Sequence, residues 1–211
     1  HVIILVFSKD LGSAVIFFAG YLIMVFIATK NYFYLFAGIL GGAGASIVAY
    51  HMFSHVRTRV IAFLHPWSNI NDSGYQITQS LFAIGTGGWF GLGIDQGDPT
   101  SIPYVEQDFV FSAVAEEMGV IFGICLILVC VSCFIVFMKI AMQLKEDFYR
   151  YIAVGISTIY IFQVFLTIGG GTRFIPLTGV TLPLVSYGGS SVLTTIIMFS
   201  IIQGPVSYTH L

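Results

Sequence analysis

Residues 109–138 read FVFSAVAEEMGVIFGICLILVCVSCFIVFM. After Glu116 and Glu117, no charged residue interrupts the run before Lys139. About 20 mainly apolar residues in a helix cross the hydrocarbon layer of a bilayer, so this stretch is long enough to span it with an acidic pair near one end. All three cysteines of the chain, Cys125, Cys130 and Cys133, fall inside the run. In that setting they read as small apolar side chains rather than as disulfide or metal ligands.

The same pattern repeats on both sides. Residues 11–29 carry no charge; residues 32–53 carry none either, apart from His51, and include Gly41, Gly42 and Gly44. Residues 151–168 are just long enough to span, and residues 187–204 supply a last apolar segment. Residues 2–7 read as the end of a further apolar segment, so the chain is expected to be a fragment holding five complete spans and a remnant. Hydrophobic residues make up 57% of the sequence and charged ones 9%, far below the roughly one quarter typical of soluble domains. The mean hydropathy is +0.93. The predicted fold is all-α, a polytopic membrane helix bundle. With 8 basic and 10 acidic residues there is no basic field of the kind that nucleic-acid binding needs; membrane lipids are the expected surroundings.

The connections are unequal. Lys30 and Asn31 make a tight turn, residues 139–150 a short charged loop, and residues 54–108 a loop long enough to expect function in it. Alternation puts Lys30 and the 139–150 loop on one side, the long loop and residues 169–186 on the other. Cations do not orient the chain: Lys30, Lys139, Lys145 and Arg150 face Lys9, Arg57, Arg59 and Arg173 across the bilayer. Within the long loop, YQITQSLFAI (75–84) spaces Ile77, Leu81 and Ile84 as on a short interfacial helix. The following GTGGWFGLG (85–93) has no preceding strand and no closing Lys-Ser/Thr, which rules out a nucleotide loop. It reads as a turn anchored at the membrane surface by Trp89 and Phe90.

Asp108 is the leading candidate for chemistry. It stands where a polar loop meets the long apolar helix, as a general base or as an N-cap. The two roles differ in sign, since a helix dipole lowers a carboxylate pKa whereas a base works best near the operating pH. Glu116 and Glu117 follow eight and nine residues on, so at 100° per residue only Glu116, about 80° from Asp108, comfortably shares its cavity. Each is equally readable as a structural partner of Arg57, Arg59 or Arg173. Arg173 in GGGTRFIP and Arg59 in RVIAFLHPW suit a pyrophosphate through the two-pronged guanidinium, or serve as interfacial anchors. His51 and His55 stand at i, i+4, the spacing of two zinc ligands on one helix face, or mark a helix leaving the membrane. Residues 178–191, TGVTLPLVSYGGSS, open an apolar helix at Ser186. Its free N–H groups and small residues Gly188, Gly189 and Ser190 suit either an anion or close helix packing.

That last stretch resembles the signature of the SEDS family, the FtsW/RodA/SpoVE group of bacterial membrane proteins. The resemblance extends to KDLGSA (9–14), GYQITQS (74–80), AIG (83–85) and DFVF followed by Glu116-Glu117 (108–117), in the same order. Gln107 stands where the family usually has Thr, and Lys9 where it has Pro. The resemblance implies ten spans, of which residues 1–204 hold the second half, with the 54–108 loop outside the bacterial cytoplasmic (inner) membrane. It implies a glycosyltransferase that polymerises lipid II alongside a class B penicillin-binding protein and other divisome or elongasome proteins, in division, elongation or sporulation. A lipid II flippase and a non-enzymatic scaffold are the alternatives. It implies Asp108 as the catalytic base, with Arg59, Arg173, Glu116, Ser186, Gly188, Gly189, Ser190 and a divalent cation (Mg or Mn) around the substrate. A charged Pro-Ser-Glu…Lys region belongs upstream, so the fragment alone is expected to be inactive. Residues 206–211, VSYTHL, are similar to translated adaptor sequence; residues 205–211 are expected to be a non-native tail.

Overall fold

The computed structural model describes residues 10–70 and 72–209. The remnant at residues 2–7, Lys9, and the last two residues of the expected tail lie outside them. Every regular element among the described residues is helical. Helix α1 (Leu11–Thr29) starts at Asp10, whose side chain accepts the Ser13 N–H at 3.0 Å, and ends at Lys30 in the left-handed conformation (φ 52°). Asn31 then caps α2 (Tyr32–Met52) by accepting the Phe33 N–H. A turn of two residues thus reverses the chain, as expected. Helix α3 (Ser54–Leu64) follows after the single extended residue Phe53.

Helix α4 (Tyr75–Gly87) confirms the helical spacing of that segment. It buries Ile77, Thr78, Ser80 and Ala83 and packs against α5 (Val110–Gln143). Burying two hydroxyls is tolerable because both are satisfied. Thr78 donates to the Gly74 carbonyl, and Ser80 donates to the Gly171 carbonyl at 2.7 Å while sharing a 2.6 Å hydrogen bond with Ser112. Those last two bonds tie α4, α5 and α6 (Asp147–Gly171) together at one level.

Helices α5 and α6 form the centre, with α1 packed on α6 and α7 (Gly189–Thr209) closing over both. Cys130, Tyr160, Val164 and Leu182 make one buried cluster, bordered by Phe137 and Phe199, whose rings meet Tyr160 edge-on. Cys125, by contrast, faces outward. Helix α2 buries nothing, and its Phe33, Leu40 and Ile47 are exposed, as are Leu128 and Ile135 on α5. Such apolar exterior suits lipid, not water. Four helices, α1, α2, α5 and α6, are long and apolar enough to cross a membrane; the apolar part of α7, Gly189–Gly204, is shorter. The protein is a multi-pass membrane helix bundle.

Three boundaries differ from expectation. Helix α7 begins at Gly189, not Ser186, and its backbone runs past Gly204, the expected end of the span, to Thr209. His51 and His55 lie on different helices because Phe53 breaks the pair, so they share no face, and no group of three metal-binding side chains occurs among the described residues. Finally, α5 is broken at Gly119 (φ 86°, ψ 166°). In an unbroken helix the Glu116 and Glu117 carbonyls would accept from Val120 and Ile121. Here they accept instead from Leu92 and Gly93, both at 2.9 Å, while Val120 and Ile121 donate to Gly88 and Trp89. The Gly-rich segment 87–93 is threaded into the gap, and only glycine gives the backbone the room and the positive φ at Gly91 and Gly119.

Candidate active site

Asp108 lies one residue before the cap of α5, which is Phe109, and no side-chain capping bond forms there. The N-cap role is therefore not the one this carboxylate takes. It lines a cavity of about 370 Å³ with Thr58 and Arg59 from α3, Gln76 from α4, Tyr104 and Leu177. Burial pushes the Asp108 carboxyl above the ordinary aspartate range, and the Arg59 guanidinium pulls it part of the way back. Of the two signs left open by the sequence, the structure carries the one that suits a base. The approach to Asp108 is a turn held at Tyr104 (φ 60°), whose carbonyl accepts from both Gln107 and Asp108.

Arg59 donates to the Thr178 carbonyl at 3.1 Å, which fixes its guanidinium beside the signature stretch. Gly179, with φ 76°, comes next; a methyl group there would stand 3.6 Å from Arg59 Nη2 and 3.7 Å from Asp108 Oδ2. The signature is also laced to the Asp108 turn itself. The Tyr187 N–H donates to Glu106 O at 2.7 Å, and the Ser186 hydroxyl donates to Gln107 O at 2.5 Å while accepting from Leu182 N. Ser186 is buried and both its hydrogen-bonding functions are in use. It positions the Asp108 turn and is not an open donor for a substrate.

Arg173 also has a different task from the expected one. Its Nε donates to Phe63 O at 3.0 Å and its Nη2 to Leu64 O at 3.4 Å, closing the end of α3. It lines neither of the two cavities near the signature and instead holds in place the helix that carries Arg59. Glu116 is similarly diverted: it is buried, its Oε1 accepts the Asp98 N–H at 3.3 Å, and its Oε2 has no hydrogen-bond partner. Glu117 accepts the Asp95 N–H in the same way. Neither pairs with an arginine, whereas Arg150 pairs with Asp147. The acidic pair anchors the 91–98 segment beside the break in α5.

A second cavity, about 530 Å³, opens on the other side of Gly179. Gly188 and Ser190 line it, together with Asp10, which caps α1, and Ser13, Gln163 and Thr194 from α1, α6 and α7; among the described residues no lysine or arginine does. Gly189 does not line it, and a methyl group there would meet nothing. The structure thus brings Asp108 and Arg59 together on one side of the 177–181 segment, and Gly188 and Ser190 together on the other. Three residues that sequence reasoning passed over, Gln76, Tyr104 and Gly179, belong to this region. Of these, Gly179 carried a usable signal as the lone glycine between Arg173 and Tyr187.

A family profile for FtsW/RodA/SpoVE, described as cell cycle protein, matches residues 1–209. The peptidoglycan glycosyltransferase RodA of Mycobacterium tuberculosis (strain H37Rv) is 38% identical over 200 residues, covering 94% of this chain and 42% of its own. Stage V sporulation protein E of Bacillus subtilis is 34% identical, with 93% of this chain and 54% of its own covered. Among solved structures, a chain from a peptidoglycan synthase complex that coordinates polymerization and crosslinking superposes with a TM-score of 0.77 at 27% identity, covering 94% of this chain and 56% of that one. The chain spans about half the length of the curated relatives it matches. On this evidence, the chain belongs to the FtsW/RodA/SpoVE family of cell cycle proteins.

Proposed function

We propose that this chain is the catalytic half of a glycosyltransferase that polymerises lipid II at the outer face of the bacterial inner membrane, during division, elongation or sporulation. The observation that carries the reading is Asp108, a carboxylate with a raised pKa in a cavity that also holds Arg59. The relatives named peptidoglycan glycosyltransferases support the reaction class. In the step we assign, the acceptor sugar's 4-hydroxyl gives its proton to the Asp108 carboxylate as its oxygen bonds to the anomeric carbon of the lipid-linked chain. The bond from that carbon to the pyrophosphate oxygen breaks, its electron pair leaves with undecaprenyl pyrophosphate, and the anomeric centre inverts. A raised pKa brings the base nearer the operating pH, where general-base catalysis is worth about 10²–10⁴-fold. Arg59 stands where a guanidinium stabilises the charge that develops on the departing pyrophosphate.

The described residues do not form a protein-held cation site. The cavity offers one carboxylate beside a guanidinium, whereas Mg²⁺ and Mn²⁺ need several oxygen ligands. No step is assigned to a divalent cation. The solved peptidoglycan synthase complex favours a class B penicillin-binding protein as the membrane partner. The test is stoichiometry: the full-length protein with its partner, given purified lipid II, should release one polyprenyl pyrophosphate for each glycosidic bond formed. Transfer of labelled lipid II across vesicles without that release would replace the reading with a flippase, and neither activity would leave a scaffold.

A further inference from the structure

The described part of KDLGSA (9–14) supplies no group to the Asp108 cavity, yet its glycine reaches the carbonyl that holds Arg59. Gly12 is buried in the first turn of α1. A methyl group there would stand 2.9 Å from Thr178 O and would strike the Val180 side chain. Thr178 O is also the acceptor of the Arg59 Nη1 bond, at 3.1 Å. One backbone carbonyl is thus shared: it accepts from α3 and closes on α1 more tightly than any side chain at position 12 permits. Neither neighbour gives way freely. Asp10 caps α1 by accepting the Ser13 N–H, and further along the helix a methyl group on Gly20 would stand 3.4 Å from Ile159 of α6. The 177–181 segment is pinned beyond Thr178, where Thr167 donates to Val180 O at 2.8 Å and Gln163 to Thr181 O at 3.0 Å, both from α6. A side chain at position 12 therefore displaces the Thr178 carbonyl, and with it the acceptor that fixes Arg59. At the next residue, Gly179, a methyl group would lie 3.6 Å from Arg59 Nη2 and 3.7 Å from Asp108 Oδ2, so a shift at Thr178 is a shift beside the carboxylate.

We propose that Gly12 is a positioning residue for the Asp108 and Arg59 pair: its lack of a side chain seats the Thr178 carbonyl where Arg59 donates to it, and so sets where the guanidinium stands relative to the carboxylate. This assignment rests on the glycosyl-transfer reading and goes beyond it, by giving the start of α1 a part in the reaction that acts through Arg59.

The experiment uses the full-length protein with its partner and reads lipid II polymerisation against pH. Among the described residues, the charged and titratable groups lining the cavity with Asp108 are Arg59 from α3 and Tyr104 from the approach turn; α4 contributes Gln76 and Ile77, and the 177–181 segment Leu177. Arg59 is the group that lowers the Asp108 pKa. Gly12→Ala should therefore move the acid limb of the kcat/KM profile to higher pH, by up to about one unit, the low end of what a neighbouring opposite charge is worth. A loss of packing alone would lower the melting temperature and leave the limb in place. Because the effect passes through Arg59, Gly12→Ala should add nothing to the shift made by Arg59→Gln. Gly12→Ala combined with Val180→Ala removes the side-chain clash and keeps the carbonyl contact; it should show the same shift and guards against a fold lost to overpacking. Gly20→Ala, about two turns further along α1, should leave the limb where it is. A second readout needs no turnover: the gain in melting temperature from Asp108→Asn at neutral pH should be larger in Gly12→Ala protein than in wild type. An unmoved limb in Gly12→Ala, a shift that adds in full to that of Arg59→Gln, one that vanishes with Val180→Ala, an equal shift in Gly20→Ala, or an equal melting gain in the two backgrounds overturns the assignment. If wild-type protein forms no glycan from lipid II, the transfer reading fails, and the melting comparison still decides the role of Gly12.

Discussion

At the scale of single residues, Asp108 and Arg59 are coupled without touching through a bond. Burial raises the Asp108 pKa and Arg59 lowers it, so removing the guanidinium leaves burial unopposed. A general base is active as the carboxylate, and its rate falls on the acid side of its pKa. Arg59→Gln is therefore expected to move the acid limb of the kcat/KM profile to higher pH; a limb that stays in place or moves down would separate the two residues. Asp108 stood out in the sequence as a carboxylate between a polar loop and an apolar run, but its position alone left a base and an N-cap both open, and the family resemblance singled it out. The division of labour between Arg59 and Arg173 was not legible. Nothing in their neighbouring residues distinguishes their tasks, and only the chain's return past α3 decides that Arg173 spends its donors on Phe63 and Leu64. Ser186 was misread for a related reason: its helix starts three residues later, so its hydroxyl faces inward. Ser186→Ala strands the buried Leu182 N–H, at a cost of about 1–3 kcal/mol, and loosens the Asp108 turn. Lower melting temperature together with slower turnover is the expected pair of results.

Among the elements, the break in α5 teaches the most. Nothing in residues 109–138 marks Gly119 as different from Gly123, since an isolated glycine in an apolar run is tolerated in a helix. The break depends on a partner far along the chain, segment 87–93, which takes over the two carbonyls and supplies the two acceptors that the helix gives up. Glu116 and Glu117 instead accept from the backbone of residues 98 and 95 and line no part of the Asp108 cavity, although the helical wheel placed one of them near it. Gly119→Ala puts a methyl group into the Trp89–Gly91 backbone at a positive φ. Strain alone costs about 1–3 kcal/mol, and the clash adds to it. Thermal unfolding in detergent should show a loss at least that large, whereas Gly85→Ala, where a methyl group meets nothing, should leave stability nearly unchanged. Helix α3 was missed because His55, Arg57 and Arg59 dilute its apolar pattern, even though its end is closed by an arginine 109 residues away.

For the whole molecule, the long apolar helices and their order were readable, because bilayer thickness imposes a length that composition reveals directly. The layout of the site was not readable, since it depends on four separate segments, α3, α4, the 104–108 turn and the 177–181 strap, meeting at one level. The Ser80–Ser112–Gly171 bonds and the lacing of the signature to residues 106 and 107 hold that level. Keeping a half-buried carboxylate there carries a stability cost with a definite sign. The folded pKa of Asp108 is raised above its ordinary value of 3.8, so the folded state is favoured below that value and loses this contribution as pH rises through the folded pKa. Asp108→Asn should then melt at a higher temperature than wild type at neutral pH, with the gap closing as pH falls towards the ordinary value.

The central claim is that Asp108 takes the acceptor's proton. Its most direct test is the initial rate of glycan formation from purified lipid II by full-length Asp108→Asn protein, with its partner bound and its fold verified by that melting curve. A fall of about 10²–10⁴-fold, the worth of a general base, with the melting temperature kept or raised, is the predicted result. A well-folded Asp108→Asn protein that polymerises lipid II at the wild-type rate would contradict the account.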